Sequence, residues 1–188
     1  MAFVRVAPSV QRPAGGVQRP AGGIVDPVSE AREPAIFRNA ARVLPVDADG
    51  HVLLLHARDP ARPRTPFWFT VGGAIEPSET QQQGAARELR EETGIVVAPS
   101  DLGAPFSEGT VRFSWGGRDR VQAQVYFAIA ARHHVVSFDG HDRFEQDSIV
   151  GYRWWRPDDL QACGAATTPG LVGLMRAATR HLGRHRAC

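Results

Sequence analysis

The segment that most narrows what this chain can become is Arg87-Glu88-Leu89-Arg90-Glu91-Glu92-Thr93-Gly94. Thr80 and Gln83 fit a capping box and Gly94 fits a C-cap, so the spacing predicts a helix between them. At about 100° per residue, Glu88, Glu91 and Glu92 share one helix face. Neighbouring pairs at these spacings stand roughly 5–6 Å apart at Cβ. Two unit charges there repel by about 3 kcal/mol at an effective dielectric of about 20. Three bare carboxylates so placed either raise a pKa or hold a cation. All are oxygen donors, so the natural guest is Mg²⁺, Mn²⁺ or Ca²⁺ rather than zinc. The three glutamates alone leave a solvated acidic face open as the alternative. Arg87, four residues before Glu91, is placed to pair with it. Leu89 and Ala85 turn to the other flank, as core contacts do. Gly84 lies one turn before Glu88 on the same face. Glycine costs about 1 kcal/mol inside a helix, which points to a close approach there.

Around this helix the chain alternates strand and turn signals. Val10 to Gly16 and Val17 to Gly23 both read VQRPAGG. Two such units are too few for a solenoid, and their Pro and Gly content predicts a flexible tail over residues 1–34. Folded structure is expected from Ala35. Asn39 to Val46 and Gly50 to His56 flank Asp47-Ala48-Asp49-Gly50, a hairpin signal, with Pro45 expected to place its part of the strand at an edge or bulge. Arg58 to Pro66 holds three prolines and three arginines and reads as a loop. Phe67 to Val71 and Ile95 to Ala98 read as short strands. Val111 to Trp115 and Val121 to Ala131 flank Gly116-Gly117 as a second hairpin. Val121, Ala123, Val125, Phe127 and Ile129 alternate with Gln122, Gln124 and Tyr126, as in a sheet with one core face. Val150 to Trp155 reads as a late strand, and Pro157 opens a short helix. Residues 164–188 form a terminal amphipathic helix through Leu171, Leu174, Met175, Ala178 and Leu182, ending in a basic tail. Mixed strands and helices with two hairpins give an α/β (α+β) class around a mixed sheet.

Composition excludes several chemistries. All 22 basic residues are arginine, which removes a Schiff-base lysine and the Gly-Lys-Ser/Thr phosphate loop. Cys163 and Cys188 are the only cysteines, so neither a disulfide scaffold nor a cysteine zinc cage is expected. A net charge of +2 announces no nucleic-acid or membrane field. No apolar run approaches the roughly 18 residues of a membrane span. Pro8 interrupts the N-terminus before a secretory apolar region develops. A cytoplasmic protein with no membrane partner is therefore expected.

The wider pattern is Gly73, five residues, Glu79, seven residues, Arg87-Glu88-Leu89, one residue, Glu91-Glu92, one residue, Gly94-Ile95. It matches the Nudix box in full, and the chain resembles a Nudix hydrolase on that account. The surroundings agree: Trp68 separated by three residues from Gly72-Gly73, the preceding hairpin, and Arg153-Trp154-Trp155 leading into an acidic helix. The likeness covers residues 35–163, with Val71 standing where relatives commonly carry proline. It implies an α/β/α sandwich around a mixed sheet. It also implies hydrolysis of a diphosphate linked to another moiety, usually a nucleoside, with Mg²⁺ or Mn²⁺ as cofactor. Carried over, Glu88, Glu91 and Glu92 are the metal ligands, with Glu88 or a distal acid as base. Arg87 orients them; Gly72, Gly73, Glu79 and Gly94 shape the loops. Many relatives carry a further acid before the last strand, where Glu145 and Asp147 stand here. Glu145 is the candidate, against an exposed loop acid.

Arg58, Arg62 and Arg64 precede the box and are candidate phosphate grips, with solvated loop charges as the alternative. Trp68 is a candidate for stacking on a base, although strand aromatics more often belong to a core. The expected partner is a small nucleotide. No helix-turn-helix, finger or RNA-binding signature points to nucleic acid, and a homodimer stays open because family members often form one. A non-catalytic nucleotide sensor on the same fold is the second hypothesis. The marks that sort family subgroups are absent after the box, so nucleoside triphosphates, nucleotide sugars and ADP-ribose all stay open. A nucleoside di- or triphosphate derivative is favoured.

Overall fold

The computed structural model describes residues 35–133, 135–138 and 148–186. Six strands form the sheet: β1 (Ile36–Val46), β2 (Val52–Asp59), β3 (Arg62–Phe69), β4 (Ser107–Trp115), β5 (Arg118–Ala130) and β6 (Ile149–Trp155). Among the described residues, three helices accompany them: α1 (Gln81–Thr93), α2 (Pro157–Cys163) and α3 (Leu171–Arg186). A 3-10 turn covers Pro99–Leu102. β1 runs parallel to β5 along its whole length, while β1 and β2 share only the Val46–Val52 pair. The sheet therefore splits beyond that pair into β4-β5-β1 and β3-β2-β6. The segment from Val71 to Ile75 fills the split, with Ala41 N–H donating to Gly73 O and Val43 N–H donating to Val71 O.

Each sheet face carries its own core. Ala41, Val43, Val125 and Phe127 meet Ala85 and Leu89 of α1 on one face. Leu44, Val46, Val52 and Leu54 meet Leu171, Met175 and Ala178 of α3 on the other. Truncating any of the buried leucines to alanine costs about 2–5 kcal/mol. The tips of the two sheet parts curl together. Asp59 Oδ1 accepts from Gly116 N–H at 2.9 Å, and Phe67 meets Trp115 edge-on at 6.0 Å. The architecture is thus a mixed, curled sheet between helices, as the resemblance implies. No described helix is long and apolar enough to cross a membrane.

Several local expectations need correction. Arg58 to Pro66 is not a loop: β2 continues to Asp59 and β3 begins at Arg62. Asp59 closes that tight turn by accepting from Ala61 N–H at 3.0 Å and Arg62 Nε at 3.3 Å. The prolines are tolerated because β3 is an edge strand, where a missing N–H breaks no inner ladder. Pro45 does not mark an edge either. Alternate residues of β1 donate away from β5, toward the segment at Val71 to Ile75, and Pro45 falls on that side. Ile95 to Ala98 forms no strand; Ile95 and Val97 pack on the core while Val96 is exposed. β5 is buried on both faces, so Gln122 and Gln124 face no solvent. The Gly116-Gly117 hairpin turn is present, with both residues at positive φ.

Candidate active site

α1 begins at Thr80, whose Oγ1 accepts from Gln83 N–H while Gln83 Oε1 accepts from Thr80 N–H. It ends at Gly94 in the left-handed region, which returns its N–H to Arg90 O at 2.8 Å. Leu89 and Ala85 anchor the helix, so Glu88 and Glu92 are carried against the segment at Val71 to Ile75 and are buried there. Glu91, one turn from Glu88, stays half-exposed.

Arg87 joins these acids. Its Nε and Nη2 donate to the two oxygens of Glu79 at 2.7 and 3.0 Å, a bidentate fork. Its Nη1 donates to Glu88 Oε1 at 2.8 Å and Glu91 Oε2 at 3.0 Å, and Nη2 also reaches Ala74 O. The expected Arg87–Glu91 pair is present, and the bidentate pair with Glu79 is the larger arrangement. Hydrogen bonding from Arg87 holds the Glu79 carboxyl below the usual carboxylate range, and the same bond raises Arg87. Glu79 is also the group that approaches Gly84: a Cβ there would lie 3.2 Å from Glu79 Oε2 and 3.4 Å from Ile75 Cγ1.

The two glycines before the helix serve different contacts. Gly72 has φ +121°, and a Cβ on it would lie 2.2 Å from Ala41 O, so only glycine fits. Its N–H donates to Glu92 Oε2 at 2.5 Å. Gly73 lies directly under Glu88, where a Cβ would stand 2.6 Å from both carboxylate oxygens.

A second arginine approaches from behind. Arg42 of β1 is half-buried; its Nη1 donates to Gly72 O and its Nη2 to Gln122 Oε1 at 3.2 Å. Burial lowers its pKa, while Glu92 and Glu88 act in the opposite direction. Gln124 Nε2 also donates to Gln122 Oε1 at 2.8 Å, and Tyr126 Oη donates to Gln124. This chain of polar groups floors a cleft of about 780 Å³ between the β4-β5-β1 and β3-β2 parts of the sheet. Glu92 reaches into it, and Phe67, Phe69, Phe113 and Trp115 contribute aromatic walls.

Among the described residues, the four carboxylates Glu79, Glu88, Glu91 and Glu92 thus gather around the guanidinium of Arg87, with that of Arg42 behind Glu92. Arg90 reaches Glu91 at 3.5 Å but is mostly exposed, so solvent screens it. A hard divalent cation with oxygen preference fits this donor set and this charge. A separate group, Asp47, Asp49 and His51, brings three potential ligand atoms within 4.8 Å of one another at the β1–β2 turn. Asp47 is engaged in closing that turn: it accepts from the N–H groups of Asp49 and His51, and meets the rings of His51 and His133.

A family model described as NUDIX domain matches residues 36–172. The chain belongs to the Nudix family. It is 30% identical over 149 residues to an RNA pyrophosphohydrolase of Erythrobacter litoralis (strain HTCC2594), covering 70% of this chain and 84% of that one. It is 26% identical over 123 residues to the nucleoside triphosphatase NudI of Salmonella agona (strain SL483), covering 61% and 79%. A solved MutT protein from Methanosarcina mazei Go1 shares the fold with a TM-score of 0.54 at 20% identity, covering 78% of this chain and 96% of that one. This Nudix chain is therefore a hydrolase of the pyrophosphohydrolase kind.

Of the residues proposed from sequence, the structure brings Arg87, Glu79, Glu88, Glu91, Glu92, Gly72 and Gly73 together. Arg62 lines the cleft, paired to Asp59. Arg58 and Arg64 are exposed and lie outside its lining. Trp68 also lies outside it: it stacks on His56 at 4.2 Å, meets Trp155 edge-on, and packs on the core beneath α3. Strand alternation explains the difference, since Phe67 and Phe69 take the cleft side of β3. Glu145 lies outside the described residues. Arg42, Gln122 and Gln124 were not proposed from sequence. The available signal was a lone arginine inside the apolar run Ala40 to Leu44, since buried arginines need partners.

Proposed function

We propose that this Nudix hydrolase is metal-dependent and cleaves the diphosphate linkage of a nucleoside di- or triphosphate derivative. The observation that carries the reading is the cluster of four carboxylates, one of which, Glu92, reaches into an arginine- and aromatic-lined cleft. The names of the two relatives, an RNA pyrophosphohydrolase and a nucleoside triphosphatase, support the same substrate chemistry. Glu88, Glu91 and Glu92 would hold Mg²⁺ or Mn²⁺, which when bound neutralises a diphosphate and makes water a stronger acid.

The chain's own groups do the remaining work. Arg87 fixes the carboxylates of Glu88 and Glu91, and the Gly72 N–H fixes Glu92. Arg42 balances Glu92 from the far side and ties the Gly72 carbonyl to β5. The cleft's aromatic walls receive the nucleoside. A carboxylate, Glu88 or Glu145, removes a proton from the attacking water. The water oxygen bonds to phosphorus as the bridging P–O bond breaks, and the phosphate product leaves with the bridging oxygen.

Phosphate release is the test, with Mg²⁺ or Mn²⁺, on canonical and oxidised dNTPs, ADP-ribose, nucleotide sugars, NADH and dinucleoside polyphosphates. Glu91→Gln/Glu92→Gln is run beside the unaltered protein. Metal-dependent turnover of one class, lost in the variant, is the expected result. Tight nucleotide binding with no turnover of any member would overturn it in favour of a nucleotide sensor.

A further inference from the structure

The charges lining the cleft do not balance. Its lining holds Arg38, Arg42, Arg62 and Arg120 against Asp59 and Glu92. Arg62 is paired with Asp59, and Arg42 interacts with Glu92. Arg38 and Arg120 are left without an acidic partner among the described residues. They are neighbours on one sheet face, because Ile36 pairs with Arg120 and Arg38 with Gln122 in the parallel register. The Nε of Arg120 is buried with no hydrogen-bond partner. Burial depresses Arg120, and the neighbouring Arg38 and Arg118 add to that. Arg120 is half-buried and Arg38 exposed, so an anion can reach both, complete the buried Nε donor and offset the like charges.

Position sets the kind of anion. Arg38 and Arg120 lie four and six residues along the sheet from the level of Arg42, roughly 13 and 20 Å at about 3.3 Å per residue. That is further than a diphosphate reaches from the carboxylate cluster. Between the two ends lie the amides of Gln122 and Gln124 and the aromatic walls, a stretch suited to a nucleoside.

We propose that Arg38 and Arg120 form a second anion subsite, and that the substrate carries a phosphate on its ribose in addition to the scissile diphosphate. The inference rests on the proposed hydrolase reading for the direction in which the substrate lies. Two sources share this chemistry: a mononucleotide with a 3′-phosphate, and the first phosphodiester of a 5′-polyphosphorylated oligonucleotide. Arginine suits either, because its planar fork matches phosphate oxygens.

Calorimetry on the full chain in Mg²⁺ compares AMP and GMP with their 3′,5′-bisphosphates. Kinetics compares ATP and GTP with 5′-triphosphorylated dinucleotides. The bisphosphates are expected to bind at least tenfold tighter than the monophosphates, and Arg38→Gln/Arg120→Gln is expected to bring that ratio close to one. Arg38→Lys/Arg120→Lys, which keeps the charge, is expected to retain part of it, with thermal melting confirming that both variants fold. A preference shared by the dinucleotides assigns the oligonucleotide source; one confined to the bisphosphates assigns the mononucleotide. Equal binding of mono- and bisphosphates, no binding of either, or a preference indifferent to both double variants overturns the subsite. Bisphosphate preference without hydrolysis of any diphosphate sustains the subsite and overturns the hydrolase reading, so the two failures are separable.

Discussion

Gly73→Ala tests the contact on which the site geometry depends. Gly73 is not among the positive-φ glycines, so its backbone accepts alanine and the effect is purely one of space. The new methyl would stand 2.6 Å from Glu88 Oε1 and Oε2 and 2.7 Å from Cδ. Glu88 is buried and its Oε1 is held by Arg87 at 2.8 Å, so it cannot retreat freely. One response lifts the loop from β1 and strains the Ala41 N–H to Gly73 O bond of 3.0 Å. Overpacking of that kind costs about 1–3 kcal/mol. The other response swings Glu88 away and forfeits a charge-assisted bond, about 1.5–3 kcal/mol. The expected loss is about 2 kcal/mol, or roughly 4–8 °C in Tm for a domain of this size. In a Glu88→Ala background the carboxylate is gone and the methyl has room, so the same change is expected to cost under about 0.5 kcal/mol. Urea denaturation of the four proteins in this cycle gives the coupling directly. An equal cost in both backgrounds would refute the placement of Glu88 over Gly73, and with it the site's geometry. Gly72→Ala is the contrasting control: its clash is with the Ala41 backbone, so its cost is expected in both backgrounds.

Arg87→Ala removes the shared partner of Glu79, Glu88 and Glu91 and is expected to cost about 2–3 kcal/mol by chemical denaturation, with Arg87→Lys recovering less than half because an ammonium cannot fork. Arg42→Met leaves Gly72 O without its guanidinium donor and is expected to cost about 1–3 kcal/mol, with phosphate release falling at least tenfold; unchanged stability would refute the Arg42–Gly72 bond. Glu79→Gln tests a pH dependence. The folded carboxyl lies below its ordinary value, so its contribution is present at neutral pH and is lost as pH falls through the folded value. The stability gap between the unaltered protein and Glu79→Gln is therefore expected to close on titration from pH about 7 to pH about 3, followed by thermal melting. A constant gap would refute the ion pair.

Legibility in the sequence followed the range of the interactions. α1 was readable end to end because its signals are local: a capping box three residues apart, a C-cap glycine, acids at helical spacing. The Gly116-Gly117 turn was readable for the same reason. The first part of β3, Arg62 to Pro66, was not, because its prolines argue for a loop unless the strand is known to lie at an edge, and edge position is a property of the assembled sheet. Trp68 and Phe67 could not be sorted, since adjacent strand residues take opposite faces and the sequence does not say which face is cleft. Gln122 and Gln124 looked like a solvent face because nothing local reveals that the sheet curls over them. Ile95 to Ala98 reads as a strand from its β-branched residues, but no described strand pairs with it and Val96 is exposed.

Arg87 and Arg42 show the same division within one site. Both hold the glutamates of α1, but Arg87 does so from within the helix and its adjoining loop, eight residues or fewer from its acidic partners. Arg42 acts across 30 residues to Gly72 and 80 to Gln122. The nearer arginine fixes the geometry of the acids that solvent can reach. The farther one pins the carbonyl of the same Gly72 whose N–H holds Glu92, so a single peptide segment couples the carboxylate cluster to the cleft floor. Moving Gly72 would disturb a ligand candidate and the cleft together. The φ of +121° is open to glycine, and β1, Glu92 and Arg42 each constrain that residue from a different side.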